Sequence, residues 1–320
     1  MGEYWPAVVF RGASASLRDQ ILSYLESADD SQSGTLPVNH ALCALAWIGD
    51  DAVANAFARW VNTPPRWRET LHVGPAEYAR VAGWELKETL RRNLYFGTCS
   101  TVRATDAPAS GAVAFQQQQQ TCPWCARPLV SMLSLGSEAT PVPLGTRHLV
   151  ILTCGQCTFY AEYIFAHVSE DGGATLHPKN QRPSILPDNS VEAVYPRAGV
   201  SIELAPRSTI IAHEYSLADH TSQIGGIPAW VQDTAYPKCP DCGETMMFFA
   251  QLDNSAFRNY EGVYYAFVCV KCRNTATCLP ADIAGARRPS RNEFHCFQRD
   301  LHANQNLQKD FAPCIQHSDA

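Results

Sequence analysis

The sequence predicts an α+β protein in which a helical N-terminal domain is followed by a duplicated, mostly β domain. Three observations predict it. Apolar residues recur at helical spacing through the first third of the chain. Strand-and-turn texture replaces that spacing from Thr121 onward, and one cysteine-bearing pattern occurs twice within this second part. With 320 residues, 46% of them hydrophobic and 18% charged, the chain has room for two cored domains and does not read as disordered.

Residues 1–103 are assigned to the helical domain. Leu17, Ile21, Leu22 and Leu25 fall on one helical stripe, and Leu42, Leu45, Ala46, Trp47 and Ile48 form a second. A third carries Val53, Phe57, Trp60 and Val61, with Asp50 or Asp51 as its N-cap and Pro64–Pro65 as its stop. Tyr78, Val81, Ala82, Trp84 and Leu86 predict a further helix running on toward Leu90 and Leu94. Short helices joined by Gly-Asp and Pro-Pro turns resemble HEAT-like hairpin repeats in texture. No repeat period can be fixed, so a small helical bundle fits equally well.

Periodicity is lost over residues 104–120, where Ala, Pro, Ser and Gly precede the run Gln116–Gln120. This stretch is read as a Gln-rich linker between the domains. The duplicated β domain is assigned to 121–285 and a polar C-terminal tail to 286–320. Within the β domain, Glu170–Pro196 is polar and proline-rich and is expected to form a long surface excursion. Strand patterning returns at Val200–Leu204 and Thr209–His213.

The duplication rests on four Cys-x-x-Cys knuckles. Cys122/Cys125 and Cys154/Cys157 bracket an apolar run (Leu129–Leu135) and a strand (His148–Thr153). Cys239/Cys242 and Cys269/Cys272 bracket Met246–Leu252 and the aromatic run Val263–Val268. The knuckles recur at offsets of 117 and 115 residues (239 − 122 and 269 − 154), which lays CPWC over CPDC and CGQC over CVKC. Eight of the 13 cysteines are used in this way. Two knuckle turns, each supplying two thiolates, with strands between them to hold them together, make a zinc ribbon. The sequence therefore predicts two structural Zn2+ ions, with ligands Cys122, Cys125, Cys154, Cys157 and Cys239, Cys242, Cys269, Cys272. Iron in place of zinc is left open by the spacing. Structural zinc contributes about 10–16 kcal/mol in small model systems, against a net domain stability of roughly 5–15 kcal/mol, so loss of a site should unfold its domain.

Other readings of these cysteines are weaker. Cys122-Pro-Trp-Cys125 superficially matches a thioredoxin-type redox motif, but that motif opens a helix and works as one pair, whereas here two pairs repeat in step. A third metal site could be drawn from Cys296 with His295 and His302, and Cys314 with His317, at loose spacing in a polar tail. Cys43 lies on an apolar helix face and reads as a core residue. His213–Glu214 lacks the second histidine of a metalloprotease helix. There is no Gly-x-Ser-x-Gly, phosphate-binding loop or dinucleotide fingerprint, so no enzyme is predicted.

Upstream of the second ribbon, Gly225-Gly226-Ile-Pro-Ala-Trp230 reads as a tight turn that sets an aromatic ring against the sheet. The run Gly225, Gly226, Pro228, Trp230, Cys239, Cys242, Gln251, Cys269 resembles the YwqG-like family of bacterial proteins. It is also similar to the eukaryotic programmed-cell-death-2 family. The match is close over roughly 60 residues and extends to about 160 with the first ribbon. It leaves the helical third outside. The resemblance implies a non-enzymatic binding role. YwqG-like proteins accompany secreted toxins as candidate immunity proteins, and the eukaryotic relatives chaperone a ribosomal protein.

The net charge of −6 argues against a general nucleic-acid binder, and Arg287, Arg288 and Arg291 form the one notable basic cluster. The start MGEYWPAVVFRG lacks a signal-peptide pattern. Pro6 breaks the myristoylation pattern, and no apolar run is long enough for a membrane span. A cytoplasmic protein without membrane contact is expected, in which thiols stay reduced and paired cysteines hold metal. The expected function is neutralisation of a cognate antibacterial toxin, for instance a nuclease, by covering its active or substrate-binding surface. The helical domain, the 170–196 segment and exposed acidic residues are the expected contact areas. A chaperone-like binder of a ribosomal protein is the alternative, and nucleic-acid binding through the ribbons is a further one.

Overall fold

The structure is a computed structural model. It describes residues 7–28, 35–106, 111–137, 143–186, 195–209, 222–230, 234–258 and 262–279. It is α+β, with four leading helices and one large antiparallel sheet. Two compact units divide the chain between Arg92 and Asn93. No helix among the described residues is long and apolar enough to cross a membrane.

In the first unit, helix α1 (Ala15–Ser27) starts at Ser14, whose Oγ accepts from the Leu17 N–H at 3.3 Å. Helix α2 (Thr35–Ile48) follows, and α3 (Asp51–Asn62) is capped by Asp50. The Asp50 carboxylate accepts from the Val53 N–H at 3.0 Å and from Arg18 Nη1 at 2.6 Å. Helix α4 (Pro75–Val81) opens on proline, as a first helical turn permits. Helix α2 packs against α1, α3 and α4, so the unit is a bundle around one central helix. Its core stacks Phe57 on Trp84 at 5.6 Å and sets Trp60 edge-on to Trp67 at 5.4 Å. Both buried indoles find acceptors: Trp67 Nε1 donates to Leu25 O and Trp84 Nε1 to Ala46 O, each at 2.8 Å.

The predicted helix across Tyr78–Leu94 is corrected. It ends at Val81, and Gly83, at φ +80°, turns the chain. Strands β1 (Trp84–Lys87) and β2 (Leu90–Asn93) then form a two-stranded hairpin. Trp84 faces the core by strand alternation, which mimics helical spacing over so short a run.

The second unit contains β3 (Cys99–Ala104), β4 (Ala112–Thr121), β5 (Pro128–Gly136), β6 (His148–Thr153), β7 (Ile164–Val168) and β8 (Ala174–Leu176). After these come β9 (Val200–Pro206), β10 (Gln223–Gly225), β11 (Met247–Asp253), β12 (Val263–Cys269) and β13 (Asn274–Cys278). They make one sheet in the order β6-β5-β4-β9-β3-β10-β11-β12-β13-β7-β8. Because β6 also lies against β7, β8 and β13, the two ends approach and the sheet is nearly closed. Phe115, Met132, Leu133, Ile151, Tyr264 and Val268 fill its core. The repeat is visible in the pairing. β4-β5-β6 matches β10-β11-β12, but β7 leaves its own repeat to pair with β13 of the other.

The expected linker at 104–120 is corrected too. Gln116–Gln120 lie in β4, where Gln117 pairs with Val130 and the Gln118 amide donates to Ser131 Oγ at 3.1 Å. The Gln120 amide donates to Ala174 O at 2.9 Å. Glutamine has no strong strand signature, and the paired neighbours that hold it extended are distant in sequence. Nor is 170–196 a wholly loose excursion. It contains β8, and Asn180 pairs with both backbone groups of Phe165 as a strand would, at 2.8 and 2.7 Å. Residues 187–194 of that segment lie outside the described residues, as do Ile210–His213 of a predicted strand.

The tryptophan core gives a test of the first unit. Trp67→Ala removes a buried ring and leaves Leu25 O without its donor. It should cost about 3–5 kcal/mol, read as an earlier urea transition by circular dichroism and fluorescence.

Candidate metal centres

Each first knuckle is a hairpin turn closed by its own backbone. Cys122 N–H donates to Arg127 O at 2.7 Å and Ala126 N–H to Cys122 O at 2.9 Å. In the second copy, Cys239 N–H donates to Glu244 O at 2.8 Å and Gly243 N–H to Cys239 O at 2.9 Å. The residue after each pair, Ala126 or Gly243, takes positive φ, at 57° and 72°. This is a turn between strands and does not open a helix, so the thioredoxin-type context is absent around Cys122–Cys125. The second knuckles differ. Cys157 leads into a short 3-10 turn (Cys157–Phe159), whereas Cys272 is followed by Arg273 at φ 57° and then directly by β13.

These turns gather all eight predicted cysteines into two sets. Cys122, Cys125, Cys154 and Cys157 have their sulfurs within 4.8 Å of one another, and so do Cys239, Cys242, Cys269 and Cys272. Measured pairs are Cys122–Cys157 at 3.8 Å, Cys125–Cys154 at 3.6 Å and Cys242–Cys269 at 3.7 Å. A tetrahedral ion with metal–sulfur bonds of about 2.3 Å separates its ligands by about 3.8 Å. The donor set therefore fits a tetrahedral metal ion at each centre.

The crowded sulfurs of each set perturb one another unequally. Hydrogen bonds from Cys154 and Cys157 hold the Cys122 thiol far below its usual range, while the Cys122 sulfur pushes Cys154 and Cys157 up. In the second set, burial opposes ionisation of Cys239. The backbone N–H groups of Cys242 and Asp241 and the Asn274 amide nevertheless hold it down to about 7. Cys269 is pushed up, first by burial. One thiolate per set is thus favoured and the next is resisted. A divalent cation removes that resistance, and its binding releases protons.

Around the first centre lie Leu129, Leu152, Ile164 and Ala174, with Trp124 packed against them. Behind it, Thr277 Oγ1 donates to Thr153 Oγ1 at 2.7 Å, and Thr153 and Thr158 hydroxyls meet at 2.7 Å. This chain of hydroxyls ties β13 to the Cys154 turn. Around the second centre the partners are polar. Asn274 Nδ2 donates to Cys239 Sγ at 3.4 Å and to Asp241 Oδ2 at 2.7 Å. His177 Nε2 is 3.2 Å from the same carboxylate oxygen, and Lys179 Nζ donates to Asp241 Oδ1 at 3.1 Å and Pro240 O at 2.6 Å. Bonds from Asn274, Lys179 and His177 hold the Asp241 carboxyl well below the usual carboxylate range. Sequence reading missed this network. Asn274, a polar residue at the start of a strand just past a knuckle, is the one local signal for it.

The Gly225–Trp230 turn does set its ring on the sheet. Trp230 stacks on Tyr265 at 5.0 Å and on Phe267 at 6.2 Å. Gln251 Oε1 accepts from the Ala229 N–H at 2.8 Å, and Gln223 Nε2 donates to Gly225 O and Ile227 O at 3.0 and 2.8 Å. A Cβ at Gly225, where φ is +71°, would lie 1.9 Å from Thr98 O. Only glycine fits there.

Of the remaining candidates, Cys43 is half-buried and packs against the helical core, less enclosed than the core position expected for it. His213, Glu214, Arg287, Arg288, Arg291, His295, Cys296, His302, Cys314 and His317 lie outside the described residues.

No family model matches the chain. No solved structure matches it either. It is similar to an uncharacterized protein, YpfL, of Salmonella typhimurium. The two are 39% identical over 278 residues, which is 84% of this chain and 63% of that protein. The chain therefore spans less than two thirds of the length of this relative.

The glycine turn is directly testable. Gly225→Ala should destabilise the sheet unit by about 3 kcal/mol, measured by urea denaturation, while Gly243→Ala, with open space around its Cβ, should cost clearly less.

Proposed function

We propose that this is a non-enzymatic binding protein whose two four-cysteine centres each hold one structural Zn2+ ion. On this reading its partner is a cognate antibacterial toxin, which it neutralises as an immunity protein in the cytoplasm. The observation that carries the metal part is the pair of sulfur tetrads at tetrahedral spacing. Four thiolates close the coordination shell, leave no position for water or substrate, and make a poor Lewis acid. Zinc suits a closed all-sulfur tetrahedron, and each set of knuckles with its strands is then a zinc ribbon. When bound, each ion neutralises the crowded thiolates. The protein's own contribution is to aim the knuckles, through the left-handed residues Ala126 and Gly243 and the Asn274 amide.

The toxin-binding part rests on the YwqG-like resemblance. The turn Gly225–Trp230 with Gln251 bonded to it supports that likeness, because the matching residues make one connected unit and are not scattered. The helical domain, the 170–196 segment and exposed acidic residues are the proposed contact areas.

Two experiments test the two parts. Purified protein should carry two zinc per chain, and stripping them with a chelator should unfold the sheet unit, seen as loss of β circular dichroism. Retention of the full β signal without metal would sink the structural-zinc reading. For the partner, a tagged pull-down from the native host should recover a stoichiometric toxin-like protein, and expression of this chain should protect cells from it. Recovery of a basic ribosomal protein instead would replace immunity with the chaperone reading, and salt-dependent DNA or RNA binding would favour the nucleic-acid one.

A further inference from the structure

The two centres share a ligand set but not an environment. At the first, all four residues of the turn Cys154-Gly155-Gln156-Cys157 are buried. Tyr195 closes over this turn: its hydroxyl donates to Gly155 O at 2.9 Å, and a Cβ at Gly155 would lie 2.1 Å from its ring. Only Cys125 among these ligands is half-buried, and Trp124 beside it packs onto the apolar cluster. At the second, the corresponding turn Cys269-Val270-Lys271-Cys272 is buried only at Cys269. Val270 is 46% exposed, Lys271 is exposed, and Cys272 is half-buried. Cys242 on the facing knuckle is half-buried too, beside exposed Asp241.

The four sulfurs of the second centre are also held unequally. Cys239 is buried and accepts from Asn274 Nδ2, which also donates to Asp241 at 2.7 Å, while Asn274 Oδ1 lies 3.1 Å from His167 Nδ1. That network, with His177 and Lys179 on Asp241, bonds Cys239 and its knuckle to β13 and to the 177–180 segment. Cys242 and Cys272 are only half-buried, which leaves an incoming ligand or electrophile access from that side.

The geometry points to inequivalent centres: both are structural, but the first is enclosed and slow to give up its ion, and the second is open to exchange, with its Cys242 and Cys272 sulfurs the modification site for small soft electrophiles. The inference rests on the two-metal reading above. Attack begins with a thiolate sulfur adding to an electrophilic carbon. With N-ethylmaleimide as the electrophile, one C–S bond forms across the maleimide double bond and solvent protonates the resulting carbanion. The alkylated sulfur would no longer serve as a thiolate ligand, and an ion held there would be free to pass to a competing chelator. Asn274 is a positioning residue here, since it acts on the ion through Cys239.

The test uses the zinc-loaded chain with N-ethylmaleimide and a chromogenic chelator, followed by mass mapping of the labelled cysteines. Zinc should leave in two phases of one equivalent each, and Cys242 and Cys272 should be labelled during the first. Asn274→Ala should weaken zinc at the second centre about tenfold and leave the slow phase unchanged, an internal control against general unfolding. A single phase releasing both ions, labelling of Cys125 ahead of Cys242 and Cys272, or a fast phase assigned to the first centre overturns the proposal. If the protein carries fewer than two ions, the metal reading fails, and the order of labelling on the free thiols still decides this one.

Discussion

Four cysteine sulfurs pressed within 4.8 Å of one another, twice over, set the constraint on which the sheet unit depends. Thiolates at such separations repel, and neutral thiols gain little from each other. Neither state explains why two distant turns should converge on one point. A cation would, because it would turn the repulsion into four bonds and tie strands that are far apart in sequence. Those ties would fall beside the β7–β13 pairing, where the two repeats of the nearly closed sheet meet. β13 begins just after Cys272 and pairs with β7, which begins a few residues after Cys157. Each repeat therefore supplies an edge to the other, and the two cysteine sets flank one shared seam.

The rest of the unit is arranged around that seam. The hydroxyl chain of Thr277, Thr153 and Thr158 ties β13 to the first centre, and the Asn274–Asp241–His177–Lys179 network ties the 177–180 segment to the second. Buried polar side chains of this kind are costly unless satisfied, and their value here is in fixing which strand meets which. On the far flank, Gly225 and Gly226 let the chain pass close to Thr98 and Cys99, so that Trp230 can stack on the aromatic strand β12. The apolar core does the bulk stabilisation, while these few polar and glycine positions choose the topology.

The cysteine framework was legible because metal-ligand spacing is local and the motif occurs twice. Asp50 as a helix cap and the Gly-Gly turn were legible for the same reason, since each acts within a few residues. What could not be read was set by distant partners. Gln116–Gln120 look like a linker until Val130, Ser131 and Ala174 are placed beside them. Trp84 and Leu86 continue a helical stripe on paper, and only the turn at Gly83 separates that stripe from a hairpin. The crossing of β7 onto β13 leaves no local trace, because an apolar run such as Ile164–Val168 suits either repeat equally. The polar network of the second centre was hidden likewise, being assembled from residues around positions 170, 241 and 274.

The central claim is that each cysteine set holds one tetrahedral, all-sulfur metal ion. X-ray absorption at the metal edge of the protein as isolated tests it most directly. The account predicts a single shell of four sulfurs per ion at about 2.3 Å, with the edge energy naming the metal as zinc. A shell containing nitrogen or oxygen, or protein that carries no metal and has its cysteine pairs oxidised to disulfides, would contradict it.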